Sequence, residues 1–119
     1  MQYMILIHDD ESAWAAMTPA EAQAKHGEYM TLTEEMMKAG VMRSGDALKP
    51  SSTATTVRVR GGKTLTTDGP FAETKEQVAG YYIIDVANLE EALSWAARIP
   101  SVTFGSIEVR PVQEYPKPS

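Results

Sequence analysis

A chain of 119 residues, 43% of them apolar, has the size of one domain built round a modest core. Its formal net charge of −5 opposes association with phosphate backbones, and its 11 Lys and Arg are scattered, so no nucleic acid partner is expected. The absence of cysteine removes disulfides, thiolate nucleophiles and cysteine-held zinc or iron–sulfur centres.

The chain begins without a basic segment leading into an apolar one, and its longest apolar run falls far short of a membrane span. A cytoplasmic protein with no membrane partner is expected. Tyr3-Met4-Ile5-Leu6-Ile7 is a near-continuous apolar run ending at His8-Asp9-Asp10, which predicts a central strand buried on both faces and stopping at the charges. Glu11 to Met17 reads as a short helical turn. Thr18-Pro19-Ala20-Glu21 is a capping box with proline at the first helical position, so a helix is predicted to about Ala39, closed by Gly40. Ala22, His26, Tyr29, Met36 and Met37 recur near helical spacing and are expected to face the sheet, with Met30 and Met42 as further core filler.

Val41 to Leu48 predicts a second strand, weakened or bulged at Gly45. Thr56 to Arg60 alternates, Gly61-Gly62 supplies a two-residue turn and Lys63 to Thr67 returns; the Val57/Val59 side is expected against protein and the Arg58/Arg60 side in water. A loop from Asp68 to Gln77 leads into a strand over Gly80 to Val86. Asn88-Leu89-Glu90-Glu91 caps a second helix to about Arg98, with Leu89, Ala92, Leu93, Ala96 and Ile99 toward the core and Pro100 as its stop. Ser106 to Arg110 alternates as a last strand, and Tyr115 to Ser119 is expected to trail. A single domain over residues 1–112 with a tail over 113–119 follows.

Strand, helix, strand, hairpin, strand, helix, strand is the α+β ferredoxin-like order, βαββαβ with an inserted β-hairpin. Two helices cover one face of such a sheet. Yet Tyr81/Ile83 and Tyr82/Ile84 make both faces of one strand apolar, so a second copy packed sheet to sheet about a two-fold axis is expected.

The stretch from Asp68 to Val86 reads D-G-P-F-A-E-T-K-E-Q-V-A-G-Y-Y-I-I-D-V. Its Asp-Gly-Pro-Phe word, followed at once by Glu73-Thr74-Lys75-Glu76 and Gly80-Tyr81-Tyr82, resembles the DGPF branch of the YCII-related proteins. The resemblance runs from Tyr3-Met4 to Val109-Arg110-Pro111-Val112 and implies a dimeric α/β barrel. It implies no settled activity. By analogy, such barrels host cofactor-independent oxygenases and lactone isomerases. Members of the branch also resemble neighbours of extracytoplasmic-type sigma factors, which implies a non-catalytic regulatory protein as the alternative.

Two groups stand out as catalytic candidates. His26 and Tyr29 lie one helical turn apart and are either an acid–base group beside a phenolic donor or two half-buried core residues with satisfied polar tips. The wider resemblance implies, for YCII proteins outside this branch, a histidine on this helix as half of a His-Asp dyad; counted back from Gly40, Tyr29 takes its place here and His26 lies a turn earlier. Asp68 is either a hydrogen-bond acceptor or base at a site, or a turn former folded onto its own backbone, with Phe71 anchoring the loop to the core. Arg43 and Asp46 read as contacts to a polar ligand or as an ion pair. Glu73 and Lys75, with Glu76, read as a ligand-facing cluster, an intersubunit set or a solvated face. His8 beside Asp9 and Asp10 reads as a polar strand end. No metal or cofactor is expected, since no spaced ligand set, phosphate-cradling loop or dinucleotide fingerprint occurs. The expected function is binding or transformation of a small organic molecule, in a homodimer, between sheet and helices.

Overall fold

Alternation, not burial on both faces, governs the first strand. In a computed structural model that describes residues 1–116, β1 (Gln2–Asp10) buries Tyr3, Ile5, Ile7 and Asp9 in turn, while Met4, Leu6, His8 and Asp10 are half-buried on the opposite face. The strand also continues through His8-Asp9-Asp10, where the expectation had it stop. Charge does not end a strand paired on both sides: His8 sits opposite Val78 and Ser106, and Asp9 opposite Gln77 and Gly105.

The four-stranded sheet adds β2 (Met42–Ala47), β5 (Glu76–Asp85) and β6 (Gly105–Pro111) in the antiparallel order β2-β5-β1-β6. β1 is central, as expected. Helices α2 (Pro19–Lys38) and α3 (Leu89–Ala96) lie on one face, and the core of Tyr3, Ile5, Ile7, Leu32, Met36, Tyr82, Ile84 and Ile99 fills the layer between. The protein is an α+β, ferredoxin-like fold. A short α1 (Glu11–Ala15) links β1 to α2.

Helix α2 begins on the expected capping box, with Thr18 Oγ1 accepting from the Glu21 amide at 3.1 Å and Glu21 Oε1 from the Thr18 amide at 3.2 Å. Gly40, at φ 72°, closes it. The inward stripe differs from the expected one: Ala22, Lys25, Tyr29, Leu32 and Met36 are at least half-buried, whereas His26, Met30 and Met37 are exposed. Steps of three and four from Ala22 through Leu32 to Met36 hold one face, while Met37 lies about 100° round the helix from Met36. Likewise α3 turns Ala92 and Ala96 inward, followed by Ile99 beyond its end, and leaves Leu89 and Leu93 exposed.

In β2 the irregularity falls between Met42 and Ser44, at Arg43, and not at Gly45. Gly45 serves close packing instead, since a Cβ there would lie 2.8 Å from the Tyr82 ring. The hairpin β3 (Thr55–Arg60) and β4 (Lys63–Asp68) turns through Gly61 and Gly62, both at positive φ, as expected. Its Val57/Val59 side does not meet protein. Those valines are 60% and 59% exposed, because β3 and β4 form a separate two-stranded sheet. Lys117, Pro118 and Ser119 of the expected tail lie outside the described residues.

Candidate functional site

One polar group is fully enclosed at the end of β1. Asp9, two residues beyond Ile7 on the same face, is 2% exposed. Its Oδ2 accepts a hydrogen bond from Trp14 Nε1 at 2.7 Å, while its Oδ1 is buried with no hydrogen-bond partner among the described residues. A buried carboxylate oxygen left unpaired costs about 1–3 kcal/mol or more, so its retention points to a use beyond stability.

Tyr29 and Ser101 form a second polar pair, near enough for the Asp9 charge to act on the phenol. Tyr29 comes inward from α2, and its hydroxyl hydrogen-bonds the Ser101 Oγ; Ser101 is fully buried in the 3₁₀ turn Pro100–Thr103 that follows α3. Burial pushes the Tyr29 phenol up to about 12, the Ser101 bond opposing the shift and the Asp9 charge adding to it. At neutral pH the phenol is therefore a hydrogen-bond donor and not a base. A raised phenol pKa favours folding below the unfolded value near 10 and loses that contribution as pH climbs to about 12. Chemical denaturation between pH 9 and 12 should show the wild type losing stability with a steeper slope than Tyr29→Phe, and equal slopes would remove this account of Tyr29.

Trp14 covers the cluster from α1. Its ring stacks on His26 at 5.3 Å and 26°, and meets the edge of Phe104 at 5.7 Å and 80°. The short helix buries no residue of its own. It is held by Asp10, which caps it through the Ser12 amide at 3.0 Å, and by Glu11, whose Oε2 accepts from the Ser51 amide at 2.8 Å.

The expected site residues separate. His26 does not point inward with Tyr29: it is exposed, and only its stacking on Trp14 joins it to the cluster. Its position, three residues before Tyr29, lies about 60° round the helix, enough to move it from the core to the rim. Asp68 ends β4 and is exposed. The turn beside it holds Gly69 at φ 101°, with the Gly69 amide bonded to the Ala54 carbonyl at 2.7 Å. Phe71 does not anchor that loop. It is 82% exposed, and Gln77 instead ties the loop by donating to the Ala72 and Thr74 carbonyls at 3.1 and 3.0 Å.

Arg43 pairs with Asp85 at 3.4 Å, and not with Asp46. Asp46 accepts from the Tyr81 hydroxyl at 2.8 Å on the sheet face away from the helices. Glu73 and Lys75 are exposed, with Lys75 lining an open groove beside His8, Asp10, Phe71 and Glu76. His8 Nε2 meets Glu108 Oε1 at 3.0 Å, a bond that holds the Glu108 carboxyl below its ordinary range with help from Arg110. No group of three or more His, Asp or Glu among the described residues is gathered as a metal-ligand set.

Asp9, Trp14 and Ser101 were not among the expected site residues. The alternation Tyr3, Ile5, Ile7, Asp9 carried the signal for the first, because a strand with one buried face places its fourth odd residue inside as well. Trp14 and Ser101 meet the cluster only through tertiary structure.

The YCII-related domain profile matches residues 1–116. An uncharacterised protein of Rhizobium meliloti (strain 1021) is 38% identical over 117 residues, spanning 97% of this chain and 94% of that relative. Among solved structures, the 5-chloro-2-hydroxyhydroquinone dehydrochlorinase TftG of Burkholderia phenoliruptrix AC1100, in complex with 2,5-dihydroxybenzoquinone, aligns with a TM-score of 0.50 at 13% identity. The alignment covers 97% of this chain and 96% of that one and is a likeness of fold. No described helix is long and apolar enough to cross a membrane.

Proposed function

The chain belongs to the YCII-related domain family, and from that premise we propose that it binds or transforms a small organic molecule where Asp9, Tyr29 and Ser101 meet beneath Trp14. The unpaired Oδ1 of the buried Asp9 carries this reading. In this reading a carboxylate held in a desolvated place is an acceptor for a hydroxyl or amine of the ligand, or a base toward an acidic proton. The protonated Tyr29 and Ser101 supply donors beside it. His26, exposed and stacked on Trp14, stands at the rim of this site.

Trp14 indicates the shape that suits the site. A planar ring there already donates to Asp9 while contacting an imidazole and a phenyl ring, so a hydroxylated ring taking the indole's place would meet the same partners. Residues 1–112 act as one unit in this proposal, in a cytoplasmic homodimer formed through the sheet face away from the helices, where Met4, Leu6, Tyr81 and Ile83 are half-buried.

A thermal-shift and mass-spectrometric screen of phenols, quinols, lactones and organic acids tests the site, with 2,5-dihydroxybenzoquinone, the molecule held by the structural relative, as its first compound. A ligand raising the melting temperature of wild type should fail to do so in Asp9→Asn and act weakly in Tyr29→Phe, with Asp68→Ala behaving as wild type. A response lost in Asp68→Ala and kept in Asp9→Asn would transfer the site to the Asp68-Gly69-Pro70-Phe71 loop.

A further inference from the structure

Among the described residues the β3–β4 hairpin pairs with no other strand. Every residue from Thr55 to Asp68 except Thr56 is exposed, and the ladder joins neither strand to the four-stranded sheet. Its root is closed by bonds between its own two flanks, where the Gly69 amide meets the Ala54 carbonyl and Thr56 Oγ1 donates to the Gly69 carbonyl at 2.8 Å. The described chain accordingly measures 52 × 48 × 19 Å, broad and thin. A two-stranded hairpin is marginal alone in water, and this one presents Val57 and Val59 side by side on one face with Leu65 on the other.

Its charge is unlike that of the body. The hairpin carries Arg58, Arg60 and Lys63 against a single carboxylate, Asp68 at its root, in a chain whose formal net charge is −5. The sheet face away from the helices is the reverse: half-buried Met4, Leu6, Tyr81 and Ile83 are bordered by the carboxylates Asp10, Asp46, Glu76 and Glu108, with Arg110 beside Glu108. Each chain therefore holds a basic, apolar-sided projection and an acidic-rimmed apolar surface. Complementary patches on one molecule suit association of like copies.

We propose that the hairpin is a dimerisation arm: in the homodimer proposed above, on which this rests, it leaves its own protomer and packs its Leu65 face, which also carries Arg58, Arg60 and Lys63, against a second copy of this chain, with these cations near the partner's carboxylates. The partner supplies the cover that the protomer lacks. Two copies exchanging arms bury both at once, and the salt sensitivity of the pair comes from the arm.

Sedimentation velocity across a dilution series tests this on the full chain, comparing wild type with Leu65→Glu and with Arg58→Glu/Arg60→Glu/Lys63→Glu. Wild type is expected at twice 13.0 kDa. Both variants should dissociate with a constant at least tenfold weaker, and wild-type association should weaken with added salt. Circular dichroism should be unchanged, because these side chains are exposed in the protomer. A wild-type dimer matched by both variants would overturn the arm and leave the dimer standing. A wild type that stays monomeric at high concentration would overturn both.

Discussion

Ile5→Ala is expected to lower the unfolding free energy by about 2–5 kcal/mol, a large part of the roughly 5–15 kcal/mol that holds a domain of this kind together. Ile5 has no exposed surface and stands in the central strand opposite Tyr82 on one side and Val109 on the other. Removing its side chain leaves a cavity bounded by two ladders that cannot close without shifting the sheet. Leu6→Ala removes a side chain of the same size one residue on, but from the face away from the helices, where Leu6 is half-buried. Urea unfolding of the monomeric chain should give Leu6→Ala well under half the loss of Ile5→Ala. Equal losses would contradict a core confined to the helix side.

The second large effect belongs to Gly105. It faces Asp9 across the β1–β6 ladder, and a Cβ placed on it would overlap the His8 carbonyl oxygen and stand 3.0 Å from Asp9 Oδ1. The first contact is with backbone, so the strands must part to accept any side chain. Gly105→Ala is expected to cost about 1–3 kcal/mol and Gly105→Val more, both with displacement of the Asp9 carboxylate. Ser106→Ala, one residue along on an exposed position, is the control and should leave stability within about 0.5 kcal/mol of wild type. A Gly105→Val protein as stable as wild type would show that β6 does not approach β1 this closely.

Much of the fold was legible because local chemistry fixes it. The Thr18-Pro19-Ala20-Glu21 box, the Gly40 stop, the Gly61-Gly62 turn and the Asn88 cap each stabilise one backbone conformation whatever surrounds them, and each is found where the chain pattern put it. The element order then leads to the ferredoxin-like arrangement. What depends on tertiary neighbours was less legible. Met37 and Leu93 are as apolar as Met36 and Ala92, and only the angle at which each helix meets the sheet decides which are buried.

The site was obscured for the same reason. His26 and Tyr29 attracted notice as chemistry-bearing residues one turn apart, yet Tyr29 meets Ser101, 72 positions away in the chain, and His26 meets Trp14. Asp9 was hidden by a different effect. An apolar run followed by three polar residues looks like a strand and its end, whereas alternation carries the inner face one residue further, to a carboxylate. The Asp68-Gly69-Pro70-Phe71 word is specific as a resemblance, and the geometry gives it a turn at the root of the hairpin.

The two tryptophans make the central claim directly measurable, since Trp14 and Trp95 give two indole N–H signals in a proton–nitrogen correlation spectrum. Trp14 donates to the buried Asp9 carboxylate, while Trp95 lies under the Arg98 guanidinium on α3. Titrating wild type and Asp9→Asn with the compound giving the largest thermal shift, or with 2,5-dihydroxybenzoquinone if none does, should move the Trp14 signal in wild type alone and leave Trp95 in place. An unmoved Trp14 signal, or equal movement in Asp9→Asn, would contradict a ligand site at Asp9.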